Sequence, residues 1–465
     1  MTARHMHLIG IGGTGLSAIA RILHARGWRV SGCDRAANPR LRALQAAGLD
    51  ARVGHDPAHL AGVDLVLRSS AVPPTHPEVQ AAHARGIPVL TRRAFLPTLT
   101  AGYRTLAVAG THGKTTTTAM LAWVLHALGQ DPTFVLGGDV PPWGNARAGA
   151  GPWFVIEADE YDHMFLGLQP EVAAVTILEH DHPDLFPTWD DYVDAFAAFA
   201  RRVQRVLVLR ADDPGVAALR GRLSAAPAVR TFALRGPADY RAVDVRSQLG
   251  RGIRFTLQPA GGPAVPVRLQ VPGEHNVANA LAALAVVDQL DLDLAAAAEA
   301  LADFPGAGRR FTVVADRDGI AWVDDYAHHP TEIAATLQAA RQRYPDRTLW
   351  AVWQPHTFSR TRALWDGFVS ALQAADGVLV LAIYAAREAP LPGVTGEALQ
   401  AAIAARAAAG AGPRVVGYAP TLDEAAAWLA ARVQAPAVVL ILSAGDAPQV
   451  LTRLGVRPRD AEVHA

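Results

Sequence analysis

The chain has 465 residues, of which 51% are hydrophobic and 18% charged, and this length and composition predict two to four globular domains with buried cores. Basic and acidic side chains number 43 each, so the net charge gives no indication of a nucleic-acid or membrane partner. The single cysteine, Cys33, excludes a disulfide framework and a cysteine zinc site, and it is typical of a reducing compartment.

The first predicted elements are a strand, a glycine turn and a helix. Gly10, Gly12 and Gly15 have the G-x-G-x-x-G spacing, a helix is predicted over Leu16–Arg26, and Asp34 follows Gly15 by 19 residues. This order is typical of a dinucleotide-binding fold, in which the acid contacts a ribose. Close packing of the helix on the strand, without a ligand, is the alternative. No signal peptide precedes the strand and no apolar run reaches the about 20 residues of a membrane span, so we expect a cytoplasmic location.

The first domain continues as alternating strands and helices. Strands are predicted over Val63–Leu67 and Ile87–Leu90, with an exit turn at residues 69–71 (SSA) and a helix over Glu78–Arg85 between them. The alternation pauses near residue 100. We therefore predict an N-terminal domain over residues 1–101.

The second domain, predicted over residues 102–307, begins with a glycine-rich stretch at residues 107–118 (AVAGTHGKTTTT). Gly110 and Gly113 let backbone amides face inward, Lys114 adds a full positive charge, and Thr115 is placed to bind a magnesium ion. The helix that follows is predicted over Met120–Gly129. The two glycines are three residues apart rather than five, so the strict phosphate-loop pattern is not met, and a glycine-rich turn before a helix is the alternative.

Composition favours the phosphate site. Lys114 is the only lysine in the chain, and every other one of the 43 basic side chains is arginine. A compact ammonium fits among phosphate oxygens where a planar guanidinium does not. We therefore predict that this loop binds a nucleoside triphosphate.

Two acidic clusters follow strands of the same domain. Residues 157–162 (EADEYD) come after a strand over Trp153–Ile156, and residues 179–184 (EHDHPD) come after a strand over Val172–Leu178. Open α/β sheets bind ligands at the carboxyl ends of their strands. The alternative is a solvated turn or helix start rich in acids. Two such clusters behind one phosphate loop favour a magnesium site with a histidine as a further ligand.

The rest of the chain is first rich in predicted strands and then alternates again. Residues 201–270 have several short β patterns, and residues 273–279 (GEHNVAN) open a long helix for which Asn276 is the expected cap. A third domain, predicted over residues 308–465, begins at residues 308–311 (GRRF) and repeats the strand–helix order. The sequence therefore predicts an α/β protein of three domains.

At this point the chain resembles the Mur ligases of peptidoglycan synthesis over nearly its whole length. The motifs that carry the resemblance are, in order, residues 10–15 (GIGGTG), 110–116 (GTHGKTT), 157–160 (EADE), 181–184 (DHPD), His275-Asn276 with Asn279, 309–311 (RRF) and 324–332 (DDYAHHPTE). The shortened phosphate loop is the form that this family uses.

The resemblance implies a Rossmann-like N-terminal domain for a UDP-sugar, a central P-loop ATPase domain and a Rossmann-like C-terminal domain for an amino acid. It implies ATP-dependent ligation of L-alanine to the lactyl carboxylate of UDP-N-acetylmuramate through an acyl phosphate, with ATP and Mg²⁺. The implied partners are these two small substrates, without nucleic acid or membrane, and the implied state is a monomer or homodimer.

The resemblance also implies residue roles. The catalytic residues are Lys114, Glu157, His182 and His328, and the magnesium ligands are Thr115, Glu157 and His182. The ATP-binding residues are Gly110, Thr111, His112, Gly113, Lys114, Thr115, Thr116, Asn276, Asn279, Arg310 and Asp325. The UDP-sugar-binding residues are Gly10, Gly12, Gly13, Gly15, Asp34, Ser69 and Ser70. The residues on the amino-acid side are Tyr326, His328 and Arg360.

Departures and alternatives remain. Thr357 stands where the family commonly has arginine, so only Arg360 remains for a phosphate or carboxylate role. A murein-recycling ligase that adds a tripeptide to the same sugar is the near alternative, and Ala158, where that group has glycine, favours alanine addition. An NAD-dependent dehydrogenase would leave Lys114 without a role, and a regulatory nucleotide switch would lack amide chemistry. Cys33 is expected to be a small buried hydrophobe, and His329 is as consistent with packing or capping as with a site.

Overall fold

The computed structural model describes residues 4–223, 227–248, 252–410 and 412–457. The chain forms three sheets in sequence order, one of five, one of ten and one of six strands, which we call the N-terminal, central and C-terminal domains. The predicted α/β class with three domains is confirmed. No helix in the described part of the chain has both the length and the apolar character needed to cross a membrane.

The N-terminal domain is a parallel sheet in the order β3-β2-β1-β4-β5 with helices on both faces. Its strands are β1 (His5–Ile9), β2 (Arg29–Asp34), β3 (Asp50–Val53), β4 (Leu65–Arg68) and β5 (Val89–Thr91). Its helices are α1 (Thr14–Ala25), α2 (Pro39–Ala46), α3 (Pro77–Ala84) and α4 (Arg92–Leu99), with a 3₁₀ turn at Pro57–Leu60. Since β1 and β4 are parallel neighbours, the glycine turn after β1 and the turn after β4 meet at one edge of the sheet.

The central domain has the strand order β15-β14-β13-β12-β11-β10-β6-β9-β7-β8. Its strands are β6 (Arg104–Ala109), β7 (Thr133–Val140), β8 (Gly144–Arg147), β9 (Trp153–Glu157), β10 (Val172–Val175), β11 (Val206–Arg210), β12 (Ala228–Ala233), β13 (Tyr240–Gln248), β14 (Gly252–Pro259) and β15 (Val265–Leu269). Its helices are α5 (Lys114–Ala127), α6 (Trp189–Ala200), α7 (Pro214–Gly221), α8 (Glu274–Asp288) and α9 (Leu294–Ala300), with 3₁₀ turns at Tyr161–Gly167 and Leu301–Asp303. β6 lies between β9 and β10, so both acidic clusters flank the glycine loop that follows β6.

Two helix starts differ from the sequence-based expectation. α5 begins at Lys114, six residues before Met120, because Gly113 has a left-handed φ of +81° that lets the helix follow the loop at once. α8 begins at Glu274 after Gly273, so the expected cap at Asn276 is wrong. Asn276 lies inside the first turn, where its side-chain amide donates to the Pro272 carbonyl at 2.6 Å.

The C-terminal domain has the strand order β16-β17-β21-β18-β19-β20, parallel except for β16. Its strands are β16 (Thr312–Arg317), β17 (Ile320–Asp325), β18 (Thr348–Trp353), β19 (Gly377–Leu381), β20 (Val415–Ala419) and β21 (Ala437–Leu442). Its helices are α10 (Pro330–Arg343), α11 (Phe358–Ala363), α12 (Trp365–Ala371), α13 (Gly396–Ala408), α14 (Leu422–Ala430) and α15 (Gln449–Arg453), with a 3₁₀ turn at Leu372–Ala374. His329 caps α10 in a reciprocal capping box with Glu332, which is one of the two structural roles expected for it.

Candidate active site

A cleft of about 730 Å³ is lined by side chains of all three domains. Thr14 and Gly15 line it from the N-terminal domain, and the glycine loop lines it from the central domain. Of the predicted site residues, the cleft brings together Gly15, Thr111, His112, Gly113, Lys114, Thr115, Glu157, His182, Arg310, Tyr326, His328 and Arg360. Residues from all three domains therefore meet at one cleft.

Lys114 is held at the base of the glycine loop. Its ammonium donates to the carbonyls of Gly110 at 2.6 Å and Thr111 at 3.1 Å, and to the Glu160 carboxylate at 3.0 Å. Lys114 is 12% exposed and Glu160 is 1% exposed. Burial alone would lower the pKa of Lys114, but Glu160, helped by Asp159, raises it. The ammonium therefore stays charged beside the loop.

The loop geometry requires its two glycines. Gly110 has a φ of +130° and packs against Thr176, while Gly113 packs against the Asn279 side chain, and a Cβ at either position would collide. Thr176 donates to the His112 carbonyl at 2.5 Å, which fixes the loop on the neighbouring strand. The loop is thus held by the strand on one side and by α8 on the other.

Thr115 and Glu157 form a pair of oxygen ligands beside Lys114. The Thr115 hydroxyl donates to Glu157 Oε2 at 2.9 Å, and the Gly137 amide donates to the same oxygen at 2.8 Å. His182, the third predicted ligand, lies 3.8 Å from Glu160 and 3.7 Å from Asp181. The structure therefore places Thr115 and Glu157 in direct contact, and His182 next to the carboxylate that holds Lys114.

His112 joins the central and C-terminal domains. Its Nε2 lies 3.0 Å from Glu179 and its Nδ1 lies 3.1 Å from Glu332. Burial would lower the pKa of His112, but Glu332 and Glu179 outweigh it and raise the pKa to about 9. The imidazole is therefore protonated at neutral pH, and its charge is paired with a carboxylate from each of the two domains.

Arg360 makes another contact across the same boundary. Its Nε and Nη2 lie 3.0 and 2.9 Å from Asp181 Oδ1, and both side chains are buried. Burial would raise the pKa of Asp181, but His182 and Arg360 hold it well below its ordinary value. Arg360 lines the cleft as predicted, but its charge is satisfied by a protein carboxylate.

The C-terminal side of the cleft is formed by the 309–311 motif and the turn after β17. The Arg309 and Arg310 guanidinium groups lie 4.9 and 5.2 Å from the centre of the Tyr326 ring. Asp325 is buried and accepts from the amides of Phe311 at 2.8 Å and Ala327 at 2.8 Å. Asp325 thereby fixes the backbone that presents both arginines.

His328 faces the cleft in a defined tautomer. Its Nδ1 lies 3.0 Å from the Tyr326 carbonyl, which can only accept, so a neutral ring has its proton on Nδ1 and its lone pair on Nε2. Burial, which outweighs the nearby Glu332, lowers the pKa of His328 to about 3. The ring is therefore neutral across the physiological range.

A second pocket of about 120 Å³ lies behind the loop. The predicted residues that line it are His112, Gly113, Thr115, Thr116, Asn276, Asn279, Arg310 and Asp325. His275, Phe232 and Ile177 add apolar and aromatic surface. A flat, partly apolar group of a nucleotide fits this composition.

The last two residues of the glycine turn, Thr14 and Gly15, line the cleft, and the rest of the turn lies outside it. The Gly12 amide donates to Asp34 at 2.9 Å, so the predicted ribose acid closes the turn in this structure. The Ser69 amide donates to the Ile9 carbonyl at 3.0 Å, which places the turn after β4 against Gly10. Gly13 and Ser70 lie in these two turns, so the predicted UDP-sugar residues other than Gly15 form one group at the sheet edge.

Four residues that are not glycine have a strained backbone at the cleft. His182, Arg309, Thr357 and Ala386 all have φ between +52° and +62° and all line it. Left-handed φ is costly for residues other than glycine, most of all for a β-branched one such as Thr357. The surrounding contacts therefore hold these four residues in place.

Several residues of the cleft were not predicted from the sequence. Glu160 and Glu332 hold Lys114 and His112, and both lie in motifs that the sequence displays, without any pattern that assigns them these partners. Arg92 borders Gly15 and lies 3.6 Å from Asp159. Arg40 lies 3.6 Å from Asp139 on the opposite domain. Arg92, Asp159, Arg40 and Asp139 line the cleft, whereas Glu160 is buried behind it.

Three family models match the chain in order. The Mur ligase family catalytic domain matches residues 5–104, the Mur ligase middle domain matches residues 108–287, and the Mur ligase glutamate ligase domain matches residues 309–445. Each match coincides with one of the three sheets.

Full-length relatives and solved structures agree. The UDP-N-acetylmuramate–L-alanine ligase of Kineococcus radiotolerans is 45% identical over 464 residues, which are 97% of this chain and 96% of that protein. The protein of the same name from Frankia casuarinae is 46% identical over 420 residues, 83% of this chain and 84% of that protein. The crystal structure of the UDP-N-acetylmuramate-alanine ligase of Thermotoga maritima aligns with a TM-score of 0.82 at 30% identity, covering 97% of this chain and 99% of that one. A murein peptide ligase of Psychrobacter arcticus aligns with a TM-score of 0.72 at 26% identity and the same coverage.

Proposed function

We propose that this chain, which belongs to the Mur ligase family, joins L-alanine to the lactyl carboxylate of UDP-N-acetylmuramate with cleavage of ATP, in peptidoglycan synthesis. The observation that carries the proposal is the position of Lys114, whose charged side chain lies in a cleft lined by three domains. One domain for each substrate, with a cation where they meet, is the arrangement that a three-substrate ligation needs.

The chemistry explains this arrangement. A carboxylate and an amine at neutral pH form a salt, so the carboxylate is first phosphorylated by ATP to an acyl phosphate. Both reactants of that step are anions, and Lys114 at the glycine loop offsets their repulsion. The alanine amine then attacks the acyl carbon and phosphate leaves with the former carboxylate oxygen.

We propose that the triphosphate occupies the glycine loop and the adenine the smaller pocket behind it. The loop amides and Lys114 hold the phosphates, with Arg310 above them. Thr116, Asn276, Asn279 and Asp325 line the smaller pocket. Thr111 contributes its backbone, since its hydroxyl already bonds to the Glu179 carbonyl at 2.9 Å.

We assign a magnesium site to Thr115, Glu157 and His182. The fit rests on the Thr115 hydroxyl and the Glu157 carboxylate, two hard oxygen donors 2.9 Å apart beside the loop. These residues would hold the ion, which when bound would supply positive charge to the transferring phosphoryl group. The Gly137 amide donates a hydrogen bond to Glu157 Oε2 and thereby fixes the orientation of this carboxylate.

The amino-acid end is assigned to Tyr326 and His328. The lone pair of His328 Nε2 can accept a hydrogen bond from the amine and orient it, with Nδ1 kept protonated by the Tyr326 carbonyl; a pKa of about 3 makes the ring too weak a base to remove the ammonium proton. Arg360 acts through Asp181, by holding the C-terminal domain against the central one. The UDP-sugar is assigned to the glycine turn of the N-terminal domain, with Asp34, Ser69 and Ser70 at its edge.

The remaining assignments follow from this function. We assign residues 1–101 to the UDP-sugar domain, 102–307 to the ATP domain and 308–465 to the amino-acid domain. We place the protein in the cytoplasm, where ATP and UDP-sugars are available, as a monomer or homodimer.

The test is release of phosphate from ATP with UDP-N-acetylmuramate and a panel of amines. We expect release only when both the sugar nucleotide and L-alanine are present, and little with glycine or L-serine. Faster release with the L-alanyl-γ-D-glutamyl-meso-diaminopimelate tripeptide than with L-alanine would instead identify a recycling ligase. Release of phosphate from ATP in the absence of any amine would contradict amide formation.

A further inference from the structure

The N-terminal domain contains a cluster of metal-ligating side chains outside the cleft. Strand β1 alternates, so Met6 and Leu8 face the core under α1 while His7 faces the opposite side of the sheet. There it meets Cys33 at the end of β2 and Glu78 in the first turn of α3. His59, in the 3₁₀ turn before β4, completes the group.

We propose that His7, Cys33, His59 and Glu78 bind one Zn²⁺ ion that cross-links the N-terminal domain. One ligand atom from each of the four lies within 4.8 Å of every other. No bound ion is required for the proposed ligase chemistry at this position, since none of the four lines the cleft.

The measured spacings fit a tetrahedral site. Cys33 Sγ lies 3.5 Å from His7 Nε2 and 3.0 Å from Glu78 Oε2. Glu78 Oε1 lies 2.9 Å from His59 Nδ1 and 3.9 Å from His7 Nε2. Zinc bonds of about 2.0–2.3 Å in tetrahedral geometry separate neighbouring ligand atoms by about 3.2–3.8 Å. The four contacting pairs depart from this range by a few tenths of an ångström, and the other pairs, which lie within 4.8 Å, close by up to about 1 Å when an ion binds.

The hydrogen bonds of His7 leave its inner nitrogen free for a metal. The Gly62 carbonyl accepts from His5 Nδ1 at 2.9 Å, so the neutral His5 ring accepts at Nε2 from the Ser31 hydroxyl at 2.9 Å. The Ser31 oxygen then accepts from His7 Nδ1, also at 2.9 Å. The lone pair of His7 is therefore on Nε2, which points at Cys33. Such outer hydrogen bonds orient the histidine ligands of zinc sites.

The burial of the cluster matches a structural ion. Cys33 and Glu78 are 0% exposed and His7 is 1% exposed. His59, His55 and His76 are 13–23% exposed and form the side open to solvent, through which an ion can enter. Burial raises the pKa of the Cys33 thiol, so the free cluster holds an S–H group. Binding forms the Zn–S bond, breaks the S–H bond and releases the proton to solvent.

The ligand types favour zinc over other divalent ions. One thiolate, two imidazoles and one carboxylate form a mixed S, N and O set, which magnesium and calcium avoid and zinc accepts. Cys33, which was expected to be a small buried hydrophobe, is buried in an apolar cluster, but its sulfur also contacts His7 and Glu78. The sequence-based exclusion of a cysteine zinc site therefore applies to sites with several thiolates and does not extend to this cluster. Its one thiolate has partners 26, 26 and 45 residues away, which sequence spacing does not reveal.

A bound ion would hold the glycine turn. The Cys33 carbonyl accepts from the amides of Gly10 at 2.8 Å and Ile11 at 3.1 Å. Zinc at the Cys33 thiolate would therefore tie β1, β2, the 3₁₀ turn and α3 together directly beneath that turn. Its effect is on the stability of the domain, and the phosphate-binding loop of the central domain is untouched.

The test uses the only cysteine as a reporter. The full-length protein is stripped with a chelator and titrated with Co²⁺ in the presence of excess Mg²⁺, and the near-ultraviolet thiolate-to-cobalt charge-transfer band is recorded. Since the chain has one cysteine, this band can arise only at Cys33. We expect the band to saturate at one Co²⁺ per chain, to be abolished by one equivalent of Zn²⁺, and Zn²⁺ to raise the melting temperature.

Two histidine variants serve as the test variant and its control. His59→Gln, at the partly exposed edge, should weaken zinc binding at least about tenfold, since loss of even an outer-shell partner has that effect. His83→Gln, an exposed histidine of α3, is the matched control and should bind as the wild type does. The absence of a thiolate band in the folded wild-type protein would overturn the proposal. A band of equal affinity in His59→Gln would overturn it as well, because it would show the thiol binding metal without the cluster.

Discussion

His112 of the phosphate loop and Glu332 of α10 lie 3.1 Å apart, although 220 residues separate them in the chain. The pair connects the loop assigned to ATP with the domain assigned to the amino acid. Glu179 contacts the other nitrogen of the same ring at 3.0 Å. The charge of the His112 imidazole therefore depends on how the C-terminal domain packs against the central domain.

This pair predicts a pH dependence. The pKa of His112 is raised to about 9 from 6.5, so its stabilising contribution is present in full below about pH 6.5 and is lost as the pH rises through about 9. We expect the melting temperature of the wild-type protein to fall over that pH interval, and the melting temperature of Glu332→Gln to fall less. Glu397→Gln, an exposed glutamate at the start of α13, is the control and should follow the wild type. Parallel curves for Glu332→Gln and the wild type would refute the role of the pair.

Lys114 predicts a selective loss of chemistry. We expect Lys114→Ala to reduce kcat by at least about 10²–10³-fold, the usual effect of removing one charge-stabilising donor. Binding of UDP-N-acetylmuramate, measured by calorimetry, should be retained, since the glycine turn of the N-terminal domain is unchanged. Turnover in the mutant equal to that of the wild type would disprove the phosphate cradle.

The single lysine also permits a chemical test. Apart from the terminal amine, Lys114 offers the only primary amine to an acylating reagent. We expect MgATP to protect it from modification, as measured by mass spectrometry of the tryptic peptides, and Mg²⁺ without nucleotide to give no protection. Modification at the same rate with and without MgATP would place the triphosphate elsewhere.

The Thr115 hydroxyl predicts a change in magnesium dependence. Thr115→Val keeps the shape of the side chain but removes the oxygen, whereas Thr115→Ser keeps the oxygen. We expect the magnesium concentration for half-maximal activity to rise at least about tenfold in the valine variant and to change little in the serine variant. Equal requirements in the two variants would argue against Thr115 as a ligand.

Arg360 and Asp181 predict a change in domain arrangement. The buried pair crosses the boundary, and removing one partner leaves the other charge uncompensated unless the domains separate. We expect Arg360→Gln to increase the radius of gyration in small-angle X-ray scattering. Arg341→Gln removes an arginine that pairs with Asp376 at 2.9 Å inside the C-terminal domain and is the control. An unchanged radius in Arg360→Gln would show that the pair does not hold the domains.

Local patterns in the sequence predicted the features that depend on residues close together in the chain. The glycine turn, the phosphate loop and the acidic clusters after β9 and β10 are found where strand periodicity and turn residues place them. The helix opens within residues 273–279 as predicted, but the predicted cap at Asn276 was wrong because Gly273, with a φ of +94°, allows the helix to begin before Asn276. This difference is one of backbone conformation, which residue type alone does not determine.

Contacts between distant residues could not be predicted in this way. Arg360 was expected to bind a substrate anion, but the structure pairs it with Asp181, 179 residues away. Cys33 was expected to be a buried hydrophobe; it is buried, but its sulfur contacts His7 and Glu78. In each case the partner is set by how the domains and strands pack.

The most direct test of the account follows an oxygen atom. UDP-N-acetylmuramate labelled with ¹⁸O in both oxygens of its lactyl carboxylate is turned over with ATP and L-alanine, and the inorganic phosphate is analysed by mass spectrometry. If the carboxylate is phosphorylated in the cleft around Lys114, each phosphate released carries one ¹⁸O atom. Phosphate without the label would show that no acyl phosphate forms and would contradict the account.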